Sequence, residues 1–388
     1  MNQTSEILVG RKQEVYHLKS IMESKEAEFV VVYGRRRVGK TVLINTFFND
    51  NYAFKLTGLA RKSKSDQLSN FTSALNRYGD GQKFTKPRTW YEAFDKLRTL
   101  LDAKPRDAKQ IVFIDELPWL DSHGSNLISA LEHFWNDWAV TQNHLVLIVC
   151  GSATSWITRK ILKNRGGLHN RVTQKIYVRP FTLSECKEYI NSQGLVMEDK
   201  EIAECYMIMG GIPYYLKHLK RGRSLSQNVD EMFFFERGSL NDEFNALFAS
   251  LFNKSENYIK VVEALSTKNK GLSRIELLKA TKMEDNGHFT AILQDLIDCD
   301  FVRSYRGYDN KTRDSIYQLV DPFTLFYYKF IKTYGHYDKA FWQFQIGTHR
   351  HDVWAGLVRF LRGHLQSFMA CRMRQKCCFV FRAYEFMR

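Results

Sequence analysis

No apolar run in this chain approaches the roughly twenty residues a helix needs to cross a bilayer; the longest, such as Leu145 to Cys150, fall far short. The N-terminus also lacks the apolar block of a secretory signal. Together these absences predict a soluble, cytoplasmic protein with no membrane partner. Cysteine usage agrees. Of seven cysteines, Cys150, Cys186, Cys205 and Cys299 stand singly, and no CxxC or Cys/His ligand spacing occurs. Cys377 and Cys378 are adjacent, which suits neither a usual disulfide nor a structural zinc site, and His349 and His351 read as part of a basic surface loop. Internal repeats and low-complexity linkers are missing as well.

What is there begins with size and charge. At 388 residues the chain exceeds one ordinary core, so roughly two or three domains are expected. A net charge of +15 leans toward a polyanionic partner, nucleic acid first, although charge informs about association and not about fold.

The densest local signal is "FVVVYGRRRVGKTVLINTFF", Phe29 to Phe48. Phe29 to Tyr33 is a continuous β-branched run, the pattern of a strand buried on both faces of a parallel sheet. Gly34, Arg35, Arg36, Arg37, Val38, Gly39, Lys40 and Thr41 then match G-x-x-x-x-G-K-[ST], and Val42 opens an apolar helical run to Phe48. Glycines let the backbone curl so that successive N–H groups point inward, and the helix N-terminus adds partial positive charge. A chance match in a chain of this length has odds of about one in a hundred, and the strand and helix around it lower them further. Lys40 is expected on the β- and γ-phosphates and Thr41 on Mg2+. For Arg35, Arg36 and Arg37 two readings stand together: solvated side chains that favour a nearby polyanion, or a direct role at the phosphates.

Hydrolysis needs a metal-linked carboxylate and a group that orients water. "QIVFIDELPWLD", Gln110 to Asp121, supplies candidates: an apolar strand ends in Asp115 and Glu116, at the edge where open α/β sheets bind ligands. Asp115 is assigned to the Mg2+ shell and Glu116 to the attacking water. Leu145 to Cys150 ends in Gly151-Ser152-Ala153-Thr154-Ser155. There Ser152 is a candidate to touch the γ-phosphate or the water, with Ser155 read as a helix cap. Strands near 29–33, 52–57, 110–114, 145–150 and 173–178 alternate with helices, the signature of a parallel α/β sheet.

Gly10-Arg11, "GRRRVGKT", "VFIDELPWL", "CGSATSW", "RPFTLSE" (Arg179 to Glu185) and "GGIPYYL" (Gly210 to Leu216) together resemble a family of prokaryotic ATPases. Its members join an AAA-type nucleotide-binding module to a winged helix and a nuclease-like C-terminal domain, and look related to the signal-transduction class of AAA-type NTPases. The resemblance covers roughly residues 7–332. It implies a P-loop ATPase domain over 1–180, a helical lid over 181–250, a winged helix over 251–322 and a truncated C-terminal region over 323–388. It implies ATP as ligand in place of GTP, in keeping with the lack of a suitably placed N/T-K-x-D motif. It also implies that Gly10 and Arg11 lie near the adenine, that Arg171 contacts the γ-phosphate from the same or a neighbouring subunit, and that Pro213, after Gly211, touches the base. The bland readings of the last two are a surface arginine and a helix–helix corner.

Residues 255–321 read as three helices (257–266, 274–280 and 286–299) and a hairpin with a basic tip, "RGYDNKTRD". The third helix, the usual groove reader, carries no lysine or arginine. Duplex DNA and a protein partner are therefore both open for this module. Phe323 to Phe330 reads as core. After Val353 come six arginines and one lysine against one acid, with three cysteines and five phenylalanines, and no clear alternation. Residues beyond about 356, Leu357 to Arg388, are expected to be out of frame or degenerate, with a basic amphipathic tail as the rival. The functional expectation is a Mg2+-dependent ATPase using nucleotide state as a switch. Its rival is a weakly hydrolysing, nucleotide-regulated DNA-binding or protein-interaction regulator.

Overall fold

The structure, a computed structural model, describes residues 8–163, 166–168, 170–252, 254–305, 315–335 and 341–343. The chain divides into a first compact unit, residues 1–180 with 251–253, and a second made of the remainder.

Five parallel strands form the centre of the first unit: β1 (Glu28–Tyr33), β2 (Phe54–Thr57), β3 (Gln110–Asp115), β4 (Leu145–Gly151) and β5 (Gln174–Tyr177), in the order β2-β3-β4-β1-β5. All six residues of β3 and all seven of β4 are buried, which is why both read as unbroken apolar runs and not as alternation. Successive side chains leave opposite faces. Phe29, Val31, Val112, Ile114, Leu147 and Val149 share one core cluster with helices α3 (Lys64–Tyr78) and α4 (Trp90–Asp102) and the helix Leu127–Asp137. On the intervening positions, Phe113 meets Tyr52, which meets Phe48 of helix α2 (Lys40–Phe48). Helix α1 (Lys12–Glu23) buries Leu18 and Ile21.

This order places β4 between β1 and β3. Since the strands are parallel, the segments after β1, β3 and β4 emerge at one edge of the sheet, where the crevices of open α/β sheets lie.

The second unit is mainly helical. Leu183–Ser192 and Asp199–Met209 both start on reciprocal capping boxes, Thr182 with Glu185 and Glu198 with Glu201. Further on, the helices Ser255–Ser266, Arg274–Thr281 and Gly287–Asp298 accompany an antiparallel sheet of β6 (Leu272–Ser273), β7 (Val302–Tyr305) and β8 (Ile316–Leu319), ordered β6-β8-β7. The hydroxyl of Tyr258 donates to Asp295 at 2.7 Å inside this module, so the one buried acid of the third helix is satisfied. Phe323, Phe326 and Phe330 are buried, as the aromatic block predicts. Phe244 stacks on Tyr327 with centroids 3.9 Å apart. The basic tip 306–314, the pair His349 and His351, and the tail from 357 lie outside the described residues. Among the described residues no helix is long and apolar enough to cross a membrane.

Candidate nucleotide site

The site grows out of the loop after β1. Gly34 has φ 143°, and a Cβ there would stand 2.3 Å from the Val178 carbonyl oxygen, so only glycine lets the chain leave the sheet so close to the segment after β5. Gly39, at φ 88°, is the N-cap of α2, and its carbonyl accepts the Leu43 N–H at 2.8 Å. Between them Arg37 also takes a left-handed conformation, φ 72°.

Lys40, 5% exposed, folds its ammonium back over the loop. It donates to the carbonyls of Gly34 (3.0 Å) and Arg35 (2.8 Å) and to Ser152 Oγ (3.0 Å). Its neighbour Thr41 donates its hydroxyl to Asp115 Oδ2 at 2.7 Å, bridging β1's loop to the end of β3. Asp115 is buried, and its other oxygen accepts the Glu116 N–H at 2.9 Å. That bond stabilises the left-handed turn at Glu116, φ 48°, which turns its side chain toward β4. There Glu116 accepts twice from one residue: Ser152 Oγ at 2.6 Å and Ser152 N–H at 3.2 Å. Lys40, Ser152 and Glu116 thus form a continuous hydrogen-bonded chain from the loop across the end of β4.

Three supports hold this chain in place. Gly151 is one: a Cβ on it would lie 2.7 Å from Cδ of Pro118, so the ends of β3 and β4 can approach only because that position has no side chain. Asp121 is another, accepting from the Trp156 indole N–H at 3.1 Å and the Ser125 hydroxyl at 3.0 Å. The third is Gln67, fully buried in α3, whose amide donates to the carbonyls of Leu59 (2.6 Å) and Trp119 (2.9 Å) while its oxygen accepts the Leu59 N–H.

Arg11 is 5% exposed and follows Gly10; both have positive φ. Its guanidinium donates to the Val38 carbonyl at 2.7 Å and the Arg179 carbonyl at 2.6 Å, and lies 3.5 Å from Glu14. The side chain is a strut beneath the phosphate loop, tying it to the segment after β5.

Two expectations need correction. Arg35 is not a solvated side chain: it is 2% exposed, while Arg36 and Arg37 remain half-buried. The alternation of glycine and basic residues shows nothing of which arginine turns inward. Ser155 does not cap a helix, since the helix runs Thr154–Ile157 with Ala153 at the N-cap position.

The remaining candidates scatter. Val38 is buried and Val42 is 51% exposed. Arg171 is exposed on a turn, its N–H donating to the Leu168 carbonyl at 3.1 Å, and no bond joins it to the phosphate loop among the described residues. Pro213 starts the short helix Pro213–Leu216 in the second unit. Beside it Gly211, φ 69°, is required because a Cβ would sit 2.3 Å from the Phe181 carbonyl oxygen. Cys150 lies under the site, and burial first, then the Asp115 carboxylate, pushes its thiol well up, so it stays protonated and inert. Arg11's strut and the Gln67 clamp were not anticipated. A glutamine on the apolar face of an amphipathic helix was the available signal for the second; for the first, the Gly10-Arg11 motif marked the residue but not the carbonyls it would bond.

Comparison with known proteins bears on the family and the fold that carry these residues. Residues 8–219 match a family described as ATPase domains predominantly from Archaea. An uncharacterised protein of Methanocaldococcus jannaschii is 26% identical over 330 residues, covering 84% of this chain and 69% of its own length. An uncharacterised ATP-binding protein of the same organism is 41% identical over 44 residues, 11% of this chain and 75% of its own length. Among solved structures, a Walker-type ATPase of Pyrococcus abyssi superposes with a TM-score of 0.58 at 18% identity, covering 84% of this chain and 97% of its own. The ORC2 protein of Aeropyrum pernix, seen with ADPNP and ADP, gives 0.50 at 11% identity over 83% and 93% of the two chains. At those identities the structural likeness speaks for the fold alone. With more than half of its residues matched by the family, the chain belongs to the ATPase domains found predominantly in Archaea.

Proposed function

We propose that the protein binds ATP with Mg2+ and hydrolyses it, and that nucleotide state acts as a switch on the module of residues 251–322, read as a winged helix. The observation that carries the hydrolytic reading is the pairing of Thr41 with Asp115 at 2.7 Å beside the chain Lys40–Ser152–Glu116. A hydroxyl and a carboxylate oxygen are the hard donors Mg2+ prefers, so Thr41 and Asp115 fit the role of holding it. When bound, the ion neutralises charge on the phosphate oxygens. Lys40, now satisfied by two loop carbonyls and Ser152, is the cation that turns to the β- and γ-phosphates. Glu116 accepts the proton of, or orients, the attacking water, and Ser152, bonded to both Lys40 and Glu116, is assigned to the γ-phosphate or to that water. Arg171 and Pro213 keep their assignments to the γ-phosphate and the base as proposals that rest on the family resemblance.

Lys40→Ala is expected to abolish nucleotide binding, measured by calorimetry. Glu116→Gln is expected to keep binding and to slow turnover by about 10²–10⁴; turnover at the parent rate removes Glu116 from the mechanism.

One observation favours a second reading. Both carboxylate oxygens of Glu116 are engaged by Ser152, which suits a nucleotide-regulated binding protein that scarcely hydrolyses. Tight ATP retention with turnover slower than the protein's own conformational change supports that reading, and rapid multiple turnover rejects it. In either case the helix Gly287–Asp298 carries no lysine or arginine, so contact of this module with a protein partner is as consistent with its chemistry as contact with DNA.

A further inference from the structure

We propose that the rim of the first unit beside the nucleotide site is a docking surface for the phosphodiester backbone of duplex nucleic acid. Two segments build it, residues 61–66 ("RKSKSD") at the start of α3 and 83–88 ("KFTKPR") before α4. They are joined in space, since Lys86 Nζ donates to Ser65 Oγ at 2.7 Å. Between them they hold six cationic side chains, Arg61, Lys62, Lys64, Lys83, Lys86 and Arg88, against one acid, Asp66. All six cations are exposed except Lys64, which is half-buried. Asp66 offsets only one of these charges: its carboxylate accepts from the Ser63 hydroxyl at 2.8 Å and the Ser63 N–H at 3.2 Å in the helix cap and lies near Lys62 and Lys86, so six cations against one acid leave the two segments strongly positive.

Position sets this cluster apart from a scattered basic surface. Segment 58–63 leaves the same sheet edge as the phosphate loop. Gly58 N–H donates to the Asp115 carbonyl at 2.9 Å, and a Cβ on Gly58 would stand 2.6 Å from the Glu116 carbonyl oxygen. Gln67 ties the same segment to Trp119. The basic rim is therefore fixed to the backbone that carries both acidic site residues.

The chemistry selects a duplex backbone. Lysine and arginine in a solvated row act as sequence-independent charge contacts, each releasing a counterion from the duplex. Single-strand binding adds aromatic faces for base stacking, and the aromatic between these cations, Phe84, packs against the hydrophobic core. The helix Gly287–Asp298 of the second unit, in the position of a winged helix's usual groove reader, carries no lysine or arginine.

The test uses the full chain without nucleotide, so that it stands apart from the hydrolytic reading, and measures anisotropy of a short fluorescein-labelled DNA duplex across a salt series. The parent is expected to bind, with log affinity falling linearly in log salt. Lys62→Gln/Lys64→Gln/Lys83→Gln is expected to weaken binding about tenfold or more at low salt and to flatten the slope by about 3. The charge-retaining Lys62→Arg/Lys64→Arg/Lys83→Arg is expected to bind as the parent does, which separates lost charge from lost folding. No binding by the parent, an unchanged slope in the glutamine variant, or an arginine variant as weak as the glutamine one overturns the proposal. So does poly-L-glutamate binding as tightly as the duplex at equal charge, which would mark a surface for acidic polypeptides.

Discussion

At the scale of single residues, the nucleotide site depends on side chains whose work is to hold other groups still. Arg11→Ala removes two charge-assisted bonds to carbonyls from a side chain that is 5% exposed. The expected loss is about 2–3 kcal/mol of stability, read as a lowered midpoint in urea, together with weaker ATP binding because Val38 is no longer pinned. Lysine at that position should recover little, since one ammonium does not reproduce a two-pronged fork. The buried thiols give a prediction in pH. Burial raises Cys205 from 9.0 to about 12, so above pH 9 the unfolded chain loses a proton that the native chain keeps. The stability this group contributes is complete below pH 9 and drains away as pH rises toward 12. Iodoacetamide at pH 8.5 should accordingly leave Cys150 and Cys205 unmodified in the native protein and label both in urea, as peptide mass spectrometry would show.

At the scale of elements, the sheet was legible because parallel strands buried on both faces must be continuously apolar. The expected strands near 29–33, 110–114 and 145–150 appear as Glu28–Tyr33, Gln110–Asp115 and Leu145–Gly151. The helices expected at 257–266 and 274–280 appear as Ser255–Ser266 and Arg274–Thr281, the second opened by the Ser273–Glu276 capping box. Missing from the sequence reading was β6, Leu272–Ser273, too short to show any period. Ser155 misled for a related reason: a serine marks a cap only if the chain turns at that residue, and the turn falls at Ala153. What joins the elements at the site is a steric fit between strand ends. Gly151→Ala would drive a methyl into Pro118, parting Ser152 from Glu116. Turnover is expected to fall by about tenfold or more, the loss of roughly one well-placed hydrogen bond, with ATP binding less affected. Equal losses in both would locate the damage in the phosphate loop instead.

For the whole molecule, the second unit shows how distant sequence is gathered into one core. Asp230, 1% exposed, accepts the backbone N–H groups of Phe341 (2.9 Å), Trp342 (2.5 Å) and Gln343 (3.1 Å). Trp342, 2% exposed, lies parallel to Phe234 and edge-on to Phe326 and Phe330. Trp342→Ala should cost about 3–5 kcal/mol, and Asp230→Ala should strand three donors and expose the same segment. Hydrogen exchange at the backbone amides of Phe341, Trp342 and Gln343 should accelerate in both variants; exchange as slow as the parent's would mean that Asp230 and Trp342 do not hold those three residues.

The sequence by itself determined which residues are able to form strands, where the phosphate loop curls, and which carboxylates end an apolar strand. Those properties follow from side-chain volume, β-branching and glycine's missing Cβ, all of them local. Only the tertiary structure decided that Lys40 and Glu116 meet through Ser152, that Arg11 braces Val38 against Arg179, and that Arg35 turns inward while its two neighbours do not. The physical reason is distance along the chain. Hydrogen bonds linking residues 112 or 168 positions apart depend on strand order and on the close approach of strand ends, and neither leaves a mark in the local periodicity of the residues involved.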